Sequence, residues 1–149
     1  MTDNEIRDLI ARKSESPQLD YKEGFSWTTE NRDKKYELVN DLIALANTRD
    51  GGRIVFGVRD GDFEFVGVAD DVYLSIDPNN VVQMLHSCAA PKVKCEVIKR
   101  DIDGRKVVLF DVAEFDDTPV ICIGAARIGS KRSSSGDPDR LGTVGFERP

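Results

Sequence analysis

The stretch Glu37–Asp62, "ELVNDLIALANTRDGGRIVFGVRDGD", holds the change of periodicity on which the fold turns. With Tyr36 just upstream, Val39, Ile43 and Ala46 form one helical line, and Leu38, Leu42 and Leu45 widen it. Asn47 to Gly52 offers residues suited to left-handed backbone angles, so the helix is expected to stop there. The pattern then changes to the β-branched run "RIVFGV", and a second run, "FEFVGV" (Phe63–Val68), follows across "RDGD". Asp60-Gly61 between two such runs predicts a β-hairpin.

The order of these elements decides what the glycines do. A phosphate loop needs GxxxxGK[ST], and a dinucleotide fingerprint needs GxGxxG between a strand and a following helix. The first string is absent, and Gly51-Gly52 follows a helix and precedes a strand. The pair reads as a helix end and a tight turn.

Working outward, Thr2 and Glu5 stand at capping-box spacing before Ile6, Leu9 and Ile10, which predicts a helix over about 3–13. Pro17 breaks helical periodicity, and Gln18–Glu23 reads as a short strand ended by Gly24. Phe25 and Trp27 follow in a polar loop. Downstream, Asp77 caps a third helix with Pro78 at its first position. Val93, Cys95 and Val97 alternate with polar residues as a half-buried strand, and "DIDG" turns the chain into "RKVVLFDV", an apolar run suited to a central strand. From Gly124 the chain is rich in Gly, Ser, Pro and Arg without a period. One domain over 1–123 and a flexible tail over 124–149 are expected. The order indicates an α+β domain, with about three helices packed on a mixed, mostly antiparallel sheet.

Composition bounds the function. The chain has 149 residues, 40% hydrophobic and 32% charged, as in ordinary globular domains. No apolar run approaches the roughly eighteen residues of a membrane span, and the polar N-terminus lacks a signal-peptide layout. No membrane association and a cytoplasmic location are expected. Cys88, Cys95 and Cys122 show no metal-site spacing and read as reduced structural thiols. The single histidine, His86, has no orienting acid nearby in sequence and reads as a packed or surface residue. The net charge of −6 means that any binding of nucleic acid must use a local patch.

Two groups of residues could form a site. Arg32, Lys34 and Lys35 open the long helix, Lys92, Lys94, Lys99 and Arg100 cluster on the second hairpin, and Lys22 lies on the first strand. Such cations are commonly a solvated face, and they are also what tracking a phosphate backbone requires, with Phe25 and Trp27 as stacking platforms. The acids Glu15, Asp20 and Asp60 converge at one end of the sheet if the first strand lies beside the hairpin. Gathered carboxylates repel unless a basic group or a divalent cation such as Mg²⁺ or Mn²⁺ balances them. Acids at turns and strand ends are also often only solvated or capping.

"SESPQLDYKEG" (Ser14–Gly24), "ELVNDLIALANTRDGGRIVFGVRDGD" and the "VGV" of Val66–Val68 together resemble the Schlafen-type AlbA-like domain, also called the divergent AAA domain. Pro91–Val93 and "VVLFDV" also fit, so the resemblance spans about residues 5–123. It implies an α+β, nucleic-acid-binding domain of DNA or RNA, with a transcriptional or defence role, often fused to ATPase or winged-helix regions. It also implies an alternative as a metal-dependent endoribonuclease, because some relatives cleave RNA with three carboxylates that match Glu15, Asp20 and Asp60. Asp20 is one methylene shorter than the glutamate common at its position. Relatives that cleave RNA pair two such lobes, so a homodimer would be needed to rebuild their clamp. "ARIGS" (Ala126–Ser130) matches the family's later strand only in part. A third reading, an oligomerisation or interaction domain, fits the acidic net charge.

Overall fold

The computed structural model describes residues 1–123, so the expected tail and the "ARIGS" motif lie outside the described residues. Helix α1 (Asp3–Ala11) starts where the capping box predicts: the Thr2 hydroxyl accepts from the Glu5 amide and the Glu5 carboxylate accepts from the Thr2 amide. A β-turn follows, Ser16-Pro17-Gln18-Leu19, closed by hydrogen bonds in both directions between Ser16 and Leu19. Proline is favoured at its second position because its fixed φ suits the turn. Strand β1 (Leu19–Lys22), a 3₁₀ turn (Thr29–Asn31), helix α2 (Arg32–Ala46) and strand β2 (Gly52–Phe56) come next.

The chain continues through α3 (Asp70–Ser75), α4 (Pro78–Cys88), β3 (Ala89–Ala90), the hairpin β4 (Cys95–Ile102) and β5 (Arg105–Val112), and β6 (Ile121–Cys122). Asp77 caps α4 through its carboxylate on the Asn79 amide, with Pro78 at the first helical position. The main sheet has the order β1-β2-β5-β4. β1 pairs parallel to β2, and the other two pairings are antiparallel. β3 and β6 form a separate two-stranded pair. The fold is α+β with a mostly antiparallel sheet, as the sequence predicts. It has four α-helices among the described residues, because six-residue α3 is too short to show a period.

Helices cover both faces of the sheet. On one, α2 and α4 bury Leu38, Leu42, Val81 and Leu85 against Ile54, Phe56, Val108 and Phe110. On the other, α1 buries Ile6, Leu9 and Ile10 against Val55, Val107 and Leu109. Alternate residues of β2 and β5 thus enter opposite cores, which is why these strands read as continuous apolar runs.

The expected pairing of "RIVFGV" with "FEFVGV" is not the one observed. Both edges of β2 are occupied, by β1 and by β5. The second run therefore folds back as a loop, held to the first by one bridge, Val58 to Phe65, and by Val66 and Gly67 amides donating to the Gly57 carbonyl. Phe63 and Phe65 pack on the α1 side.

Gly51 holds the turn into β2 at φ +70°, and an added Cβ would meet the Val112 carbonyl at 2.1 Å. Gly61 has φ +96° with nothing within 4 Å of an added Cβ. Gly51→Ala is expected to lose roughly 2–5 kcal/mol, from backbone strain plus overpacking. Gly61→Ala is expected to lose only about 1–2 kcal/mol, from strain alone. Denaturant titration of both variants checks the ranking.

Candidate functional site

The carboxyl ends of two parallel strands lie side by side, and the loops that leave them carry the candidate residues. Alternation along β1 sends Leu19 and Tyr21 into the α1 core and turns Asp20 and Lys22 towards α2. The Lys22 ammonium bridges two carboxylates, at 3.1 Å from Asp20 and 3.1 Å from Asp41 on α2. Burial alone would lower the pKa of this half-buried lysine. Its hydrogen bond to Asp20 and its pairing with Asp41 outweigh burial and hold it above its ordinary value.

The Ser16–Leu19 turn folds Glu15 back alongside β1, where its carboxylate accepts from the Tyr21 amide at 3.1 Å. Glu15 also shares a hydrogen bond with Asp20, which pushes its pKa up. The Tyr21 amide opposes that rise, while burial and the charges of Asp20 and Asp60 add to it. Asp60 lies in the loop after β2, its amide donating to Glu23 at 3.4 Å. Asp62 turns away into a pair with Arg59 that holds its pKa down to about 2.

Glu15 and Asp20 thus form a pair, and Asp60 stands outside hydrogen-bond contact while contributing its field. Among the described residues, no group of three or more His, Cys, Asp or Glu side chains is arranged to hold a metal ion. The arrangement does not fit a resident Mg²⁺ or Mn²⁺. Asp20 is already balanced by Lys22, and the Glu15 carboxylate already accepts from the Tyr21 amide.

The cations divide into two sets. Lys94 pairs with Asp116 at 2.6 Å, and Arg100 pairs with Asp3 at 2.8 Å while donating to the Met1 carbonyl. Lys99 donates to the Ile76 carbonyl at 2.9 Å and lies over the Tyr73 ring. On α2, Arg32 lies over Tyr36 and Lys35 over Trp27, at 4.9 and 5.2 Å from the ring centroids. Arg32, Lys34, Lys35 and Lys92 make no ion pair among the described residues. β1 and β4 are opposite edges of the sheet, three inter-strand spacings or about 14 Å apart. The hairpin cations therefore belong to a different surface from the carboxylate pair.

Sequence reasoning missed Asp41, Glu37 and the Pro17 turn. An acid at position 41 between Leu38 and Leu42 was a usable signal, because it sits at the edge of the apolar stripe. His86 contacts the Val93 carbonyl at 3.3 Å, a packed histidine. Burial pushes the Cys95 thiol up to about 12, so it is unreactive.

Because its folded pKa is raised, Glu15 binds its proton more tightly in the folded chain than in the unfolded one. Its contribution to stability falls as pH rises from the ordinary carboxyl range through the raised value. Glu15→Gln, whose amide can donate to Asp20, is expected to raise the melting temperature at pH 7. The gain should shrink on acidification below pH ~4.5, where the parent carboxyl is protonated in both states. Thermal unfolding across this range checks the sign.

Among the described residues, no helix is long and apolar enough to cross a membrane. No curated protein sequence matches the chain. The fold is similar to that of the N-terminal domain of an ATP-dependent DNA helicase RecG-related protein from Nitrosomonas europaea, with TM-score 0.53 and 19% identity over 96% of this chain and 95% of that domain. It is also similar to the DIP2311 protein from Corynebacterium diphtheriae, with TM-score 0.54 and 16% identity over 78% of this chain. The chain spans only 22% of the length of that protein. The family model for "Schlafen, AlbA_2" matches residues 15–135, from the Glu15 turn through the whole main sheet, and the chain belongs to this Schlafen AlbA_2 family.

Proposed function

We propose that the chain is a nucleic-acid-binding module, contacting the phosphate backbone through Arg32, Lys34 and Lys35 at the start of α2. One observation carries this reading: these exposed or half-exposed cations have no carboxylate partner among the described residues, and two of them lie over aromatic rings, Tyr36 and Trp27. Cations already paired within the fold gain little from a phosphate, whereas unpaired ones release counterions on binding. Family membership and the similarity to the RecG-related domain support the same class of ligand. In this reading Lys22, the hairpin residues Lys99 and Arg100 and Lys94 just before the hairpin are secondary, and Lys92 adds one contact. A second copy of the chain, or an ATPase or winged-helix domain, would extend the surface.

The triple variant Arg32→Ala/Lys34→Ala/Lys35→Ala is expected to weaken binding of DNA or RNA about tenfold or more. It should also flatten the slope of log K against log salt by about 3. Lys94→Ala/Arg100→Ala should change that slope by less than about 1. Equal effects of the two variants, or binding without any salt dependence, would overturn the assignment.

A second reading, cleavage of phosphodiester bonds in RNA, is favoured by the Glu15–Asp20 pair. A carboxyl group whose pKa is raised by a hydrogen-bonded carboxyl neighbour is a common arrangement for acid–base chemistry. Incubation of labelled tRNA with and without Mn²⁺ tests it. Cleavage lost in a folded Asp20→Asn variant is expected if the pair acts on the strand, and intact RNA with retained binding leaves the module a binder.

A further inference from the structure

A cavity of about 310 Å³ opens between the segment leaving β1 and the first half of α2. That is the low end of the range for small-molecule sites, roughly 300–1,000 Å³. Phe25 and the buried Leu38 give it an apolar base, and Lys22, Lys34, Glu23 and Glu37 surround it. Phe25 is held in place by a tilted contact with Phe56 at 5.4 Å and a near-parallel one with Trp27 at 6.1 Å.

The charges argue against a phosphate as its occupant. Two carboxylates oppose two ammonium groups, and Lys22 is already engaged by Asp20 and Asp41. A neutral, planar ring with donors and acceptors on its edge suits the lining better. The aromatic side chain offers a stacking surface, and the carboxylates accept from amino groups. Lys34 lines the opening, and Arg32 and Lys35, which make no ion pair among the described residues, share its turn of α2, where the backbone of a bound strand would run.

We propose that this cavity seats one unpaired nucleobase of a bound strand and prefers bases that carry an amino group. The proposal rests on the nucleic-acid-binding reading above and adds to it a single-stranded element and a base preference. The exocyclic amino group of cytosine, adenine or guanine has two N–H donors to share between Glu23 and Glu37, whereas thymine and uracil offer only the single ring N3–H. Trp27, the only tryptophan of the chain, stacks with Phe25 and serves as the reporter.

The test is titration of the chain with short oligo(dC), oligo(dA), oligo(dT) and abasic strands at low salt, read by Trp27 fluorescence and by anisotropy of labelled strands. Cytosine and adenine strands are expected to change the fluorescence and to bind about five- to tenfold more tightly than thymine strands. Phe25→Ala should weaken the cytosine strand roughly tenfold. Because Phe25 is partly a packing residue, Glu37→Gln provides the second variant. It sits on the exposed face of α2 and should bring thymine and cytosine strands to parity. Salt-dependent binding with equal affinity for all four strands would overturn the base seat and leave the backbone reading standing. No binding of any strand at low salt would overturn both.

Discussion

The parallel pairing of β1 with β2 is the constraint on which the rest of the structure depends. Two parallel neighbours cannot be joined by a tight turn, and the chain must return along the sheet before the second strand begins. Helix α2 makes that return and buries Leu38, Val39 and Leu42 as it does so. As a result, the end of β1, the start of α2 and the end of β2 all lie at one end of the molecule. Lys22, Phe25, the α2 cations and Asp60 are near one another because of this single topological choice. Open sheets with parallel strands commonly bind ligands at this end.

Charge at that end is arranged in a manner that costs stability. Glu15 and Asp20 are held together by a turn and a strand, so one of them resists ionisation. Lys22 offsets part of the repulsion but is shared with Asp41. A core optimised only for stability would separate these acids or replace one. Groups kept in such an arrangement are more often found where a protein acts than where it merely folds.

Much of this was legible in the sequence, where the signals were local. The capping box at Thr2 and Glu5, the Asp77-Pro78 start of α4 and the apolar stripe of α2 depend only on neighbours along the chain. The hairpin assigned to "FEFVGV" failed because strand partners are chosen across the sheet: β1 and β5, distant in sequence, compete for the edges of β2. The partners of the basic cluster at Lys92–Arg100 were hidden for a related reason. Clustering along the chain does not reveal that Asp116, Asp3 and the Ile76 carbonyl already engage three of those cations. Asp41 was overlooked because its partner, Lys22, lies on another element.

The N-terminal helix is fastened to the far hairpin by Arg7 with Asp103 and by Arg100 with Asp3, across 96 and 97 residues of chain. These two ion pairs and the buried Ile6, Leu9 and Ile10 are what tie α1 to the sheet. Glu15, on the short connection between α1 and β1, is held by the Ser16–Leu19 turn and the Tyr21 amide instead. The acid pair is therefore anchored within the segment of β1 itself, and its geometry does not draw on the long-range contacts that fasten the helix.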